Sequence, residues 1–525
     1  MFAPKPLVLT QFNSPSYKMR HINGDRRRHV LSLSKRVEEL LTTRRKLIAG
    51  LQDLDAQVKS MRHERNALHN LDAPTSNIPD EVLAMIFEAG MHLEKDSRVH
   101  FGTLVSQISH RWRSIALTTQ RLWIYIPIGA LQPSTSQVHP SESQGWRDRA
   151  SLHLSRSRPL PVDIHIKYLM ADDLAHQFCP NSIFGHLMKR CHRLFIDPSI
   201  EFMPRLLDYL SCHHMPLLSW ISLSCTQEDE DDDEYIEFEG PFFPLGSPAL
   251  RTVHLDTIDI TSLPSCLLDM SSVTSLRLTN LPINCHRRYA LFRDGLTSLK
   301  ALSHLELEFE YFGWTPADVS PVVLPTLQFL RLNFEYCDTD IIGLFRADLL
   351  ISLSLVSLSP KGWSDPPQAS ALVAPHFPSL RHLILVNYDN AGSLKSPYDW
   401  LATTFPDIER LTFSVDDGFH NPNFNDMFAA IQWDEEGPED ASEDMRWKGL
   451  EIIAISDIQL TNPANVQQMC YILTQMQDHG CPIRELLIPP ACVAHADAES
   501  MVKLEGIVKI ANFKVNWPTP FERQF

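Results

Sequence analysis

The chain has 525 residues, 44% of them hydrophobic, enough for two or three domains with a large core, and no run approaches the roughly 18 to 20 unbroken apolar residues of a membrane helix. Its formal charge of -17 is concentrated: Glu228 to Glu234 is an unbroken acidic run and Asp434 to Asp444 is a second acid-rich segment, so both predict solvated loops, and neither has the alternating ligands and glycine turn of a calcium site. The ten cysteines lack paired C-x-x-C spacing and no apolar leader is present, which predicts reduced thiols and a cytoplasmic or nuclear protein with no membrane partner.

Residues 1–29, with Pro4, Pro6 and Pro15, predict a disordered N-terminus. Residues 30–71 predict a coiled-coil helix. Leu33, Leu40, Leu47, Leu54, Met61 and Leu68 repeat every seven residues, and Val37, Arg44, Leu51, Val58 and Arg65 take the second seam position. A homodimer through this seam and a helix folded back on its own chain both satisfy the pattern. The triplet Arg26-Arg27-Arg28 ahead of the heptads superficially suggests a basic zipper. Gly24 and Pro15 interrupt the helix such a zipper needs, so no nucleic-acid partner is expected.

From Ile78 the pattern changes. Pro79 suits a first helical turn, Asp80 and Glu81 favour the positive end of the helix dipole, and Ile78, Val82, Leu83, Ile86 and Phe87 share a face. A second stripe follows at Leu104, Val105, Ile108, Trp112, Ile115 and Ala116, closed by Leu122-Trp123. Two helices this short carry more apolar surface than they can bury against each other, so the rest of the chain or a partner must cover the excess.

The order Pro-Asp-Glu-x-Leu-x-x-Ile-Phe, a spacer, Ile108-x-x-x-Trp112-Arg113-x-Ile115-Ala116-Leu117 and Leu122-Trp123 resembles an F-box, especially the F-box-like proteins of mushroom-forming fungi. The sequence departs from the family at Ile78-Pro79 (usually Leu-Pro), at Ser109 (often Cys) and at Gln120-Arg121, where a Pro usually precedes Leu-Trp. The resemblance implies docking on a Skp-type adaptor, and through it on a cullin, as the substrate receptor of a ubiquitin ligase. It implies adaptor-facing and core roles for Ile78, Pro79, Val82, Leu83, Ile86, Phe87, Ile108, Trp112 and Ile115, in a domain covering residues 72–127. An ordinary helical hairpin packed into its own domain is the alternative.

Residues 128–158 predict a linker, Pro133 to Gly145, and a helix, Trp146 to Arg158; a strand with alternating apolar residues then ends at Ile166. The rest, residues 159–525, is dominated by an internal repeat, apolar-x-x-apolar-x-apolar. It starts as Leu218/Ile221/Leu223 and Leu250/Val253/Leu255 and runs through Leu276, Leu305, Leu330, Leu353, Leu383 and Leu411 as central positions. It ends as Leu450/Ile453/Ile455 and Ile483/Leu486/Ile488, with Cys191/Leu194/Ile196 as a fainter early copy. Central positions lie 23 to 33 residues apart except for one gap of 42 across the second acidic segment. The last two apolar positions of each unit point the same way from a short strand, so stacked units make a curved parallel sheet over a leucine ladder. A polar or Cys residue two places after the ladder, as at Cys225, Asn280 and Asn387, stands in for the usual Asn or Cys three places after it.

The expected fold class is therefore a multidomain α+β or α/β chain: a coiled-coil helix, a small all-α F-box, and a divergent leucine-rich-repeat solenoid with acidic loops at 227–239 and 434–444. A mixed or stacked α/β domain is the fallback. No G-x-S-x-G, Gly-rich phosphate loop or H-E-x-x-H occurs, so no enzyme, cofactor or metal is expected. Cys191-His192 and Cys212-His213-His214 lack zinc-ligand spacing. Arg277, His304, Glu306, Glu308, Arg331, Asn333, His382, Arg410 and Thr412 flank the ladder and are expected to face outward; the resemblance makes their concave face the place where a target protein binds. The expected function is a ligase substrate receptor, or alternatively a scaffolding protein that oligomerises through its coiled coil.

Overall fold

The computed structural model describes residues 23–71, 74–93, 100–129, 140–167, 183–197, 203–224, 235–237, 240–268, 270–312, 320–334, 339–357, 376–387, 401–402, 404–415, 447–456, 460, 463–518 and 520–521. Both acidic runs fall outside these residues, as do residues 1–22 of the predicted N-terminal tail. The chain divides into two units, residues 1–83 and 84–525.

In the first unit, helix α1 spans Asn23–Leu71 without a break, followed by a 3-10 turn at Pro74–Asn77. It starts earlier than the heptads require and carries Gly24 and Arg26 to Arg28 within it, contrary to the expected interruption and to a disordered stretch reaching residue 29. A helical glycine costs only about 1 kcal/mol relative to alanine, too little to end a helix of 49 residues. Every residue from Arg26 to His69 is exposed, the seam leucines included.

Helix α2, Asp80–Leu93, runs across the division between the units. In the second unit come α3 (Phe101–Val105), α4 (His110–Thr118), a 3-10 turn at Gln120–Trp123 and strand β1 (Tyr125–Ile128). Helix α5, Pro140–Arg156, begins six residues ahead of the expected Trp146; proline suits a first helical position.

The second unit is mixed α/β and built on a fourteen-stranded parallel sheet. Its strands are β1, β2 (Val162–Lys167), β3 (Cys191–Asp197), β4 (Trp220–Leu223), β5 (Thr252–Asp256), β6 (Ser275–Ile283), β7 (His304–Phe312), β9 (Phe329–Asn333), β11 (Ser352–Val356), β12 (His382–Val386), β13 (Arg410–Ser414), β14 (Ile452–Ile455), β15 (Glu485–Ile488) and β16 (Lys509–Asn512), in that order. A separate two-stranded sheet pairs β8 (Val322–Val323) with β10 (Phe345–Arg346). The sheet starts at Tyr125 rather than at residue 159, which moves the expected domain boundaries: Ile126 and Ile128 align with Ile164 and Ile166 of β2. The strand is only four residues long, and a helical context precedes it, so its alternation is not visible as a repeat.

Because the order of strands never reverses, crossovers of the usual right hand all pass over the same face. That face buries the ladder. Leu330, Leu353, Leu383, Leu411, Ile453 and Leu486 lie side by side in register and are fully buried in one apolar core that runs from Ile126 to Val508.

The position two places after the ladder has a backbone role. Thr257, Ser357 and Asn387 have φ of 54°, 54° and 52°, the left-handed residue just past the end of the strand, and Asn280, with φ 55°, sits at the register shift inside β6. The N–H of Thr257, Ser357 and Asn387 donates to Thr279, Val386 and Ser414 of the following strand at 3.1, 2.9 and 3.0 Å. At the other end of the sheet Gly129 has φ 108°, and a Cβ there would stand 1.7 Å from the Lys167 carbonyl oxygen, so only glycine fits. No helix among the described residues is long and apolar enough to cross a membrane.

Truncating the ladder is expected to be costly: Leu353→Ala should lower stability by about 2–5 kcal/mol, read as a lower urea midpoint with unchanged slope. A loss within error of zero would contradict the buried ladder.

Candidate functional site

Two surfaces carry the residues singled out by sequence. The first is the helical segment ahead of the sheet. Ser109 is the N-cap of α4: its side chain accepts from the Trp112 N–H at 3.1 Å, as short polar side chains do at helix starts. The Trp123 indole donates to the Ala116 carbonyl at 2.8 Å, and Arg113 donates to the Ser106 carbonyl at 3.0 Å, tying α3, α4 and the closing 3-10 turn together. Gly90 lets α2 approach α3, since a Cβ there would lie 2.5 Å from the Phe101 ring.

These ties divide the expected adaptor-binding residues into two groups. Leu83, Phe87 and Ile115 are core residues with no surface to offer, and Trp112, half-buried, packs its ring 4.9 Å from that of Phe87. In contrast, Pro79, Val82, Ile86 (50% exposed) and Ile108 (57% exposed) are open, as are Met85 and Leu104, while Ile78 is half-buried. The helical periodicity found the stripe, but a stripe wider than the contact it makes leaves its margin in solvent. Behind the segment, His100 and His153 pack their rings 5.4 and 5.2 Å from Trp123, with Arg156 over the indole at 4.2 Å. Burial, reinforced by neighbouring cationic groups, lowers His100 to about 3; burial lowers His153 to about 4 despite its bond to the Tyr125 carbonyl.

The second surface is the sheet face away from the ladder. Its central row reads His165, Phe195, Ser222, His254, Arg277, Glu306, Arg331, Ser354, Ile384 and Thr412, each aligned with the next across neighbouring strands. The residues expected on this face are thus brought together. Their expected exposure is not observed for His304, Glu306, His382 and Thr412, all of which are buried. Part of the cover is the chain's own C-terminal segment, which follows β16. Arg410 donates to the Lys514 carbonyl, the Trp517 indole donates to Glu306 Oε1 at 3.2 Å, and the Trp220 indole donates to the Pro520 carbonyl at 3.3 Å. Phe521 is buried, with Arg277 4.6 Å above its ring and His304 at 5.6 Å.

Beneath that segment lies a compact charged cluster. Arg277 Nε donates to Glu306 Oε2 at 2.6 Å, and His304 Nε2 lies 2.8 Å from Glu306 Oε1. Burial opposes ionisation of Glu306, but the His304 bond and the Arg277 charge outweigh it and hold the carboxyl down at about 2. Burial, aided by the Arg277 charge, lowers His254 to about 4; burial, aided by the Arg410 charge, lowers His382 to about 3. A cleft of about 380 Å³ opens beside the cluster, lined by residues that include Asp256, Thr279, Glu308, Arg331 and Asn333.

The Cys/His pairs considered for zinc are spoken for individually. The Cys191 thiol meets the Arg193 carbonyl, His192 bonds Ser219, and His213 bonds the Tyr209 carbonyl. Trp220, Trp517 and Phe521 are the residues of this face that were not singled out from the sequence; an aromatic and proline cluster after the last repeat, Trp517-Pro518-Thr519-Pro520-Phe521, was the available signal. No protein-family model and no curated protein sequence matches this chain.

The histidines set a pH dependence. His100, His153, His254 and His382 are neutral in the fold with values of about 3 to 4, against 6.5 when unfolded, so their contribution is full above pH 6.5 and is lost as pH falls through the interval below it. Acidifying from pH 7 to 5 should remove on the order of 1–2 kcal/mol for each. Glu306 acts lower, between about 4.5 and 2, and adds nothing in that window. Urea midpoints that stay flat from pH 7 to 5 would contradict neutral burial of these rings.

Proposed function

We propose that this protein is an F-box-like substrate receptor: the helical segment 72–127 docks on a Skp-type adaptor and through it on a cullin, and the repeat domain presents a target. The observation that carries the reading is the bare apolar margin of a tightly tied helical segment. Met85, Ile86, Leu104 and Ile108 remain exposed while Phe87 and Ile115 are buried, and in the first unit Pro79 and Val82 are exposed as well. Isolated exposed apolar residues need no explanation, but this many on short neighbouring elements fit a partner surface. Receptor function of this kind is proximity, with one region held to the ligase and the other to the target, and it asks no catalytic group of this chain.

The test is capture of a purified Skp-type adaptor by the full chain. Val82→Glu, Ile86→Glu and Ile108→Glu alter exposed positions, so each variant should keep its melting temperature and weaken capture at least tenfold, about 1.4 kcal/mol. An intact chain that does not bind the adaptor ends the proposal.

A second reading is favoured by α1, whose exposed seam keeps a seven-residue period over five heptads. A face with that period fits a helix of the same period, so we assign it to a second copy of this chain in a scaffolding dimer. Arg44 and Arg65 in the seam weaken the association. Light scattering should give twice the chain mass for the natural protein and the single-chain mass for Leu47→Glu/Leu54→Glu; a natural chain that stays monomeric at high micromolar concentration excludes the dimer.

A further inference from the structure

The C-terminal segment beyond β16 is held differently from the strands before it. The Phe513 N–H still donates to the Ile488 carbonyl in the manner of the ladder, at 3.1 Å. Beyond that point the segment is held by side chains of the sheet: Arg410 grips one backbone carbonyl, Trp220 grips another, and two aromatic side chains drop onto the sheet between them. Trp517 rests 5.0 Å from the His304 ring and 5.7 Å from Phe329, against a small apolar cluster of Val356, Ile384 and Val386 that is separate from the main core. Phe521 fills a site roofed by Arg277 and walled by His304 and His254. Carbonyl clamps for orientation and side-chain sites for identity are how a protein reads an extended peptide.

Three further observations point the same way. Val515, Asn516 and Pro518 are exposed, so the segment lies on the surface and can leave without opening the leucine core. Pro518 and Pro520 fix two φ angles and remove two N–H donors, which suits a pre-extended ligand and forbids strand addition. The charged cluster of Arg277, Glu306 and His304 lies on the face away from the ladder; burying such charges is costly unless they are paired, and the pairing places a carboxylate where it can accept the Trp517 indole. Among the described residues His304 Nδ1 is buried with no partner, so the cis segment leaves one polar group unpaired.

We infer that this face is a groove for a linear peptide with two aromatic residues four positions apart, and that residues 514–518, 520 and 521 occupy it in cis as an internal ligand which a partner segment must displace. The inference rests on the ligand-presenting half of the reading above, not on adaptor docking. A tethered ligand competes at an effective concentration of millimolar order, so a free peptide of identical sequence is strongly disfavoured until the tether lets go. A target segment wins if it offers the same two aromatic anchors together with a polar group for His304.

The test uses the full chain carrying Trp517→Ala/Phe521→Ala and a fluorescent peptide of the natural sequence 511–525. The variant should bind the peptide in the micromolar range, and the natural chain at least ~30-fold more weakly, because there the tethered segment competes at millimolar effective concentration. A peptide with both aromatics replaced by alanine should bind neither. A variant that keeps its natural melting curve but ignores the peptide overturns the proposal, as does equal binding by the natural chain. If the double variant fails to fold, Trp517→Ala alone replaces it; failure of both to fold makes the segment part of the core and also overturns the proposal. Adaptor capture by the same proteins separates the two readings: peptide binding without capture removes the receptor and leaves the groove, and capture without peptide binding does the reverse.

Discussion

Parallel neighbours can be joined only by a crossover, and crossovers of one hand in a sheet whose order never turns back must all lie over the same face. Everything else in the second unit follows from that constraint. One face of the sheet buries the ladder from Ile126 to Ile488. Among the described residues, the other is covered in part by the segment that follows β16. Residues on that face can therefore be charged without disturbing the core, and Arg277, Glu306 and Arg331 sit side by side there, in register.

The C-terminal segment lies across the face away from the ladder. It brings apolar bulk in Trp517 and Phe521, polar contacts in two backbone carbonyls, and no continuous ladder. Its cover is partial: His304 and Glu306 are buried, at 3% and 4% exposure, while Glu308, Arg331 and Asn333 line a cleft beside it. A carboxylate in such a place stays ionised because a guanidinium and an imidazole hold it, which makes the cluster a rigid acceptor.

The helical segment follows a different rule. Its helices are too short to bury their stripes on each other, so Phe87, Trp112, Ile115 and Trp123 form a small interior and the margin of the stripe stays outside. The same holds for α1, where a helix of 49 residues keeps its seam in solvent. Surfaces like these stay in solvent at modest cost because each is narrow.

Sequence alone determined what depends on local periodicity. The heptads of α1, the stripes at Val82 to Phe87 and at Ile108 to Ile115, and the ladder at Leu276, Leu305, Leu330, Leu353, Leu383 and Leu411 were all legible, because side-chain direction in a helix or strand is set by spacing. Even the polar position after the ladder was visible, though its left-handed backbone at Asn280 and Asn387 was not. Tertiary structure decided what depends on neighbours distant in the chain: that Tyr125–Ile128 opens the sheet, that Leu83 and Phe87 are buried while Ile86 and Ile108 are exposed, and that residues 514–518, 520 and 521 lie across a face expected to be open. A period states which side a residue points to, and only the packed chain states what is waiting on that side.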